Sequence, residues 1–182
     1  MHVSMTGKQQ FFLIGYMGSG KTTVGKQLAR QLNLQFIDMD SFIENRYRKS
    51  ISAIFEEKGE AGFREIERKA LQEIIDFENI VISTGGGLPC FFDNMDVMNQ
   101  SGITIYLKAS VEELAERLRT GKQKRPLIKD KNPEELKDFI TLNLEKREEF
   151  YNQATFIFES DGLFSSENFS AKIEQLVKDI QK

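Results

Sequence analysis

Apolar residues fall along this chain in two rhythms. Short runs rich in β-branched and aromatic side chains occupy Phe11–Gly15, Gln35–Asp38, Ile80–Ser83, Ile103–Leu107 and Thr155–Glu159. Each is too short for a helix and is bounded by polar or glycine-containing segments, so the spacing predicts five strands. Between them apolar positions recur at the helical period over Lys21–Leu32, in two pieces across Ser41–Glu57, and over Glu60–Phe77, Asp93–Gln100, Val111–Arg119 and Pro133–Tyr151. A last pattern, Ser165–Gln181, sets Phe169, Ile173, Val177 and Ile180 at helical spacing and predicts a closing helix. Strands alternating with helices imply a three-layer α/β/α domain around a parallel sheet covered on both faces. Asp93 and Ser110 stand where N-caps belong, and Ser110 precedes Glu113 by the three residues of a capping box.

Composition narrows the setting. With 182 residues, 40% of them hydrophobic, the chain reads as one domain over 1–182 with a core that needs no disulfide. Cys90 is the single cysteine, which points to a reducing compartment and a cytoplasmic location. Met1–Gln10 is polar, and no run approaches the ~20 apolar residues of a membrane span, so neither secretion nor membrane insertion is expected. A net charge of -3 and a pI near 5.4 give no general attraction to nucleic acid. Locally, Arg117–Lys131 carries seven basic residues against Asp130 alone. A charge run is ordinarily a solvated face, but Gly121–Asn132 also lacks apolar periodicity, as a functional flap would.

The strongest chemical signal is Gly15-Tyr16-Met17-Gly18-Ser19-Gly20-Lys21-Thr22, a G-x-x-x-x-G-K-T pattern that follows the first strand and opens a helix. Glycines let successive N–H groups curl around one anion, and the helix N-terminus adds partial positive charge. The pattern predicts a triphosphate cradle in which Lys21 reaches the β- and γ-phosphates and the Thr22 hydroxyl takes a magnesium position.

Other residues must name the acceptor. Asp38 and Asp40 end the second strand, where alternation would put both on one side, facing the crevice at the carboxyl ends of the strands. One could orient magnesium through water and the other accept a hydrogen bond from a substrate hydroxyl; Asp40 could equally cap the following helix. Gly85-Gly86-Gly87 follows the third strand, and three consecutive glycines suggest close ligand approach or positive φ. Arg64, Arg125 and Arg147 each read alone as surface charge or a helix ion pair, but gathered around one crevice they would form a fork-shaped anion site, since guanidinium groups bind carboxylate bidentately.

Gly15-x-Met17-Gly18-x-Gly20-Lys21-Thr22-Thr23-x-Gly25, Phe36-x-Asp38-x-Asp40, Phe63-Arg64-x-x-Glu67, Gly85-Gly86-Gly87 and Arg125-Pro126-Leu127 stand in the order and approximate spacing of the shikimate kinases, and the chain resembles that family over roughly residues 11–158. The resemblance implies a fold like that of nucleoside monophosphate kinases: a five-stranded parallel sheet in the order 2-3-1-4-5, an acceptor-binding region at about 38–67 and a lid at about 119–132. It implies ATP as co-substrate with Mg2+, and shikimate as acceptor. Gly18, Ser19, Gly20, Lys21, Thr22 and Thr23 would hold the phosphates, Arg119 would pack on adenine, and Arg125 would close over the γ-phosphate. Asp40, Arg64, Gly85, Gly86, Gly87 and Arg147 would hold shikimate, with its carboxylate on Arg64 and Arg147. Phe55 and Phe63 would wall that pocket, although their spacing alone would more often mean core. Asp38 would hold a magnesium-bound water, and Lys21, Asp40 and Arg125 would carry the chemistry. The chain departs from the family at Phe158-Glu159-Ser160-Asp161-Gly162, where a valine-aspartate-threonine stretch and a later proline usually shape the adenine pocket. A kinase for another small acceptor, such as gluconate or a nucleoside monophosphate, is the nearest alternative. A GTPase switch should show N-K-x-D, which is absent. A monomer is expected, with neither nucleic acid nor membrane as partner.

Overall fold

The computed structural model describes residues 9–120, 128, 130–163 and 169–181. Five strands, β1 (Gln10–Ile14), β2 (Gln35–Asp38), β3 (Ile80–Ser83), β4 (Ile103–Lys108) and β5 (Phe156–Glu159), form one sheet in the order β2-β3-β1-β4-β5. Every neighbouring pair is parallel, as crossover helices require. Those helices are α1 (Lys21–Leu32), α2 (Met39–Tyr47), α3 (Ile51–Ile74), α4 (Asn94–Ser101), α5 (Val111–Thr120), α6 (Pro133–Tyr151) and α7 (Phe169–Ile180), with a 3-10 turn at Leu88–Cys90. Ser165–Asn168 of the predicted closing helix lie outside the described residues.

Period-two alternation sorts the sheet into two cores. Phe12 and Ile14 point to one face with Ile80, Ile82 and Tyr106, against Met39, Ile43, Phe63, Leu71 and Met95. Phe11 and Leu13 point to the other with Val81, Ile105 and Leu107, against Val24 and Leu28 of α1 and Ile173 and Leu176 of α7. Each fully buried aliphatic or aromatic side chain contributes about 1.5–3 kcal/mol. A third cluster joins Tyr16 of the phosphate loop to Leu114 and Leu118 of α5 and Leu136 and Ile140 of α6, so the loop rests on a packed floor.

The break anticipated between Glu57 and Glu60 is a kink at Gly59, with φ 66° inside α3. Asp93 sits at the N-cap of α4 but makes no cap bond; its carboxylate pairs with Arg68 at 2.5 Å instead. Ser110 accepts from Glu113 N at 3.2 Å as anticipated. The full capping box belongs to Asn132 and Glu135 at the start of α6. Most of the expected lid, including Arg125, lies outside the described residues. Among those described, no helix is long and apolar enough to cross a membrane.

Candidate active site

The turn from β1 into α1 is built on three glycines in the left-handed range, Gly15 (φ 137°), Gly18 (82°) and Gly20 (97°). Gly20 is the N-cap of α1 and supplies no side-chain bond, so the first N–H groups of the helix are left for a ligand. A side chain could not replace Gly15, since a Cβ there would lie 2.8 Å from Leu107 O. Lys21 is buried, and its Nζ donates to Gly15 O and Tyr16 O at 2.8 Å each. The amine is thus tied across its own loop.

The loop opens on a cleft of about 440 Å³ at the carboxyl ends of the strands, lined by Met17, Gly18, Gly20, Lys21, Thr22, Thr23, Asp38, Asp40, Ser83, Thr84, Gly86 and Arg117. Ser19, expected among the phosphate ligands, does not line it; its side chain is buried and turned toward Gly15, leaving only its backbone to act. Thr22 Oγ1 donates to Asp38 Oδ2 at 2.9 Å, and Asp38 Oδ1 accepts from Ser41 N at 3.3 Å. Asp38, not Asp40, therefore caps α2. The strand ends at Asp38 and the helix begins at Met39, so strand alternation does not explain the pairing of the two acids. Asp40 reaches the cleft from the first helical turn. Burial, and then repulsion from Asp38, raise its carboxyl above the ordinary range.

Arg64 is buried on α3 and bonded to Glu67 at 2.5 Å and Glu60 at 3.1 Å. Its guanidinium lies 4.3 Å from the centre of the Phe91 ring, 5.5 Å from that of Phe63 and 5.9 Å from that of Phe55. Phe55 and Phe63 stack at 4.4 Å, with Phe63 in the core, so among the described contacts they wall the arginine. Burial pushes the Glu67 carboxyl up to about 7, with Arg64 opposing. Arg147, on α6, lies over the Tyr16 ring at 5.4 Å.

The glycine loop draws these groups together. A Cβ on Gly85 would stand 2.5 Å from Glu67 Oε1, one on Gly86 3.7 Å from Arg147 Nη1, and one on Gly87 2.6 Å from Arg64 Nη1. None of the three has positive φ. Gly85 and Gly87 are therefore small because the buried Arg64–Glu67 pair fills the space, and of the three only Gly86 lines the cleft. Tyr151, one turn beyond Arg147, donates to Gly86 O at 2.6 Å. Cys90 is half-buried, and burial pushes its thiol up to about 11, away from nucleophilic use.

Arg119 does not line the cleft. It pairs with Glu116 at 2.7 Å and lines a separate cavity of about 190 Å³ with Pro133 and Lys137. Arg117 does line it, and sequence reading had placed that residue only in the basic run. The one sequence signal available, Glu113 four residues before it, suggests a surface ion pair rather than a site.

The donors suit a magnesium-bound triphosphate. Hard oxygens of Thr22 and Asp38 adjoin the N–H cradle, and magnesium needs few protein ligands because it keeps waters and phosphate oxygens.

Known proteins resemble the chain over most of its length. Residues 17–178 match the family model for shikimate kinase. A shikimate kinase of Azobacteroides pseudotrichonymphae is 64% identical over 82% of this chain and 89% of its own. The crystal structure of the shikimate kinase from Bacteroides thetaiotaomicron superposes with a TM-score of 0.93 at 48% identity, covering 97% of this chain and all of that one. That of Acinetobacter baumannii, solved in complex with shikimate, gives 0.80 at 34% identity over 94% of each chain. With its sheet order and phosphate loop, and with these matches over most of its length, the chain belongs to the shikimate kinase family.

Proposed function

We propose that the chain transfers the γ-phosphoryl group of ATP to the 3-hydroxyl of shikimate, giving shikimate 3-phosphate and ADP on the route to chorismate and the aromatic amino acids. The observation that carries this reading is the pair of arginines, Arg64 and Arg147, set against successive positions of one glycine loop beside a triphosphate cradle. A small acid acceptor needs that fork for its carboxylate.

The triphosphate lies on the loop from Gly18 to Thr23, held by backbone N–H groups. Lys21 exchanges its carbonyl partners for β- and γ-oxygens. Bound through Thr22, with Asp38 holding one of its waters, magnesium would neutralise charge on the transferring group. The shikimate carboxylate is gripped by Arg64 and Arg147, while Asp40 accepts from a ring hydroxyl and holds it in line. Transfer through a loose transition state needs positioning and charge neutralisation more than a strong base, so an Asp40 carboxyl of raised pKa is adequate. Arg125, by family resemblance, closes over the γ-phosphate, whereas Arg119, which the resemblance would set on the base, is paired with Glu116 outside the cleft. All of these groups come from one chain, so a monomer suffices.

ADP release from Mg-ATP, followed by a coupled assay with and without shikimate, tests this reading. Strong stimulation with phosphate recovered on the ring is expected. Background hydrolysis alone, or stimulation by gluconate or a nucleoside monophosphate instead, would overturn the acceptor assignment.

A further inference from the structure

The loop after β1 and the turn after β5 meet on one side chain. Arg117, near the end of α5, is 14% exposed and pairs with Glu113 at 2.8 Å. Its Nη1 lies 3.2 Å from Ser19 O, 3.4 Å from Gly18 O and 3.5 Å from Ser160 Oγ, and Nη2 donates to Ser160 O. One guanidinium thus joins the phosphate loop, α5 and the turn at 160–163. The turn is itself built: Ser160 N bonds Lys108 O at 2.7 Å, Leu163 N bonds Ser160 O at 3.2 Å, and Asp161 Oδ1 accepts from Ser110 N at 2.8 Å. An exposed i,i+4 pair would show none of these long-range contacts. Although Arg117 lines the phosphate cleft, carbonyls of the loop and turn and the Glu113 carboxylate already engage its guanidinium.

The course of the nucleotide gives this junction a purpose. Asp40, Arg64 and Glu67 lie on the β2–β3 side of the phosphate loop, whereas β4 and β5 lie on the other. A triphosphate whose γ end meets the acceptor must run its nucleoside out over β4 and β5, past the end of α5 and the turn at 160–163.

We propose that Arg117 is a positioning residue for the nucleoside half of ATP, clamping the turn at 160–163 against the phosphate loop so that the wall beside base and ribose is set before nucleotide arrives. This rests on the proposed placement of the acceptor only for the direction in which the triphosphate lies. A planar fork is essential, because a lysine in its place could keep the charge but could not bridge both backbones.

The test is Arg117→Lys in the full chain, with the Kd of ADP and of tripolyphosphate measured by calorimetry in magnesium buffer, alongside the ATP and shikimate KM. ADP Kd and ATP KM should each rise about tenfold, the scale of an ordering cost no longer met in advance. The tripolyphosphate Kd should stay within about threefold, since the cradle retains its own bonds. Shikimate KM should not move. Equal weakening of ADP and tripolyphosphate would make Arg117 a phosphate ligand and overturn the proposal. A lower Tm with unchanged ADP binding would do so by reducing Arg117 to a structural strut. Should Arg117→Lys fail to fold, Glu113→Gln loosens the same guanidinium and must show the same split between ADP and tripolyphosphate, or the proposal fails. A parent enzyme that ignores shikimate but shows this split would lose its acceptor assignment and keep the clamp.

Discussion

Gly85→Ala isolates the link between the glycine loop and the acceptor arginines. The new Cβ would sit 2.5 Å from Glu67 Oε1 and 3.4 Å from Asp40 Oδ1, so the glutamate must retreat by about 0.9 Å to reach ordinary contact at about 3.4 Å. It has little room, being 2% exposed and held at 2.5 Å by Arg64. Backbone strain does not enter, because φ at Gly85 is not positive. The cost is overpacking, about 1–3 kcal/mol of stability. Displacing Glu67 tilts Arg64 without removing it, so the acceptor should lose part of the about 2–5 kcal/mol that full truncation of such a contact costs. About 1–2 kcal/mol, or roughly a tenfold rise in shikimate KM, is expected. ATP KM should hold, since Gly85 does not line the phosphate cleft. Coupled ADP-release kinetics with each substrate varied in turn, together with urea unfolding, measure all three quantities. A stable variant with unchanged shikimate KM would refute the reasoning and return Gly85 to the status of an ordinary turn residue.

Arg64→Ala should raise shikimate KM by the equivalent of about 2–5 kcal/mol, read in the same assay at saturating ATP. Lys21→Ala should lower kcat by about 100-fold or more with shikimate KM nearly unchanged, as expected for a donor that acts chiefly on developing charge. In Gly25→Ala the new Cβ would meet Phe36 at 2.5 Å and Leu13 at 2.9 Å. Overpacking should outweigh the helix-propensity gain of about 1 kcal/mol, lowering the urea midpoint while both KM values stay put. Glu67, pushed up to about 7 by burial, binds its proton more tightly folded than unfolded. Its contribution is therefore fully present below about pH 4.3 and lost as pH rises through about 7. Glu67→Gln should flatten that part of the stability profile measured by urea unfolding between pH 4.5 and 8.

The sheet was legible because each strand carries its own period. All five expected strands lie within a residue of those observed, and Phe11 and Phe12 reveal by alternation alone that two cores exist. The phosphate loop was legible because its glycines are demanded by local backbone geometry. What escaped depends on neighbours far along the chain. Nothing near Gly85 or Gly87 announces that Glu67 and Arg64 will occupy their missing side chains. Asp38 rather than Asp40 caps α2 because the strand stops at Asp38, two residues short of the extension to Asp40 that alternation assumes. Arg117 looked like surface charge because its partners, at 18, 19 and 160, are distant in sequence. Asn132-x-x-Glu135 carries the pattern of a capping box in the sequence itself, although charged residues crowd around it.

These contacts explain how the site carries several cations before any ligand arrives. Lys21 is held by loop carbonyls, Arg117 by carbonyls and Glu113, Arg147 by an aromatic face, and Arg64 by a buried carboxylate. An unpaired buried charge would cost several kcal/mol, so each needs such a partner, and the kind of partner governs how readily the cation can be recruited. Lys21 leaves neutral carbonyls for phosphate oxygens, a gain in electrostatic terms. In the proposed mechanism Arg64 is different, because an incoming carboxylate would share it with Glu67. That sharing is eased because burial disfavours the charged form of Glu67, while its bond still fixes the direction of the guanidinium.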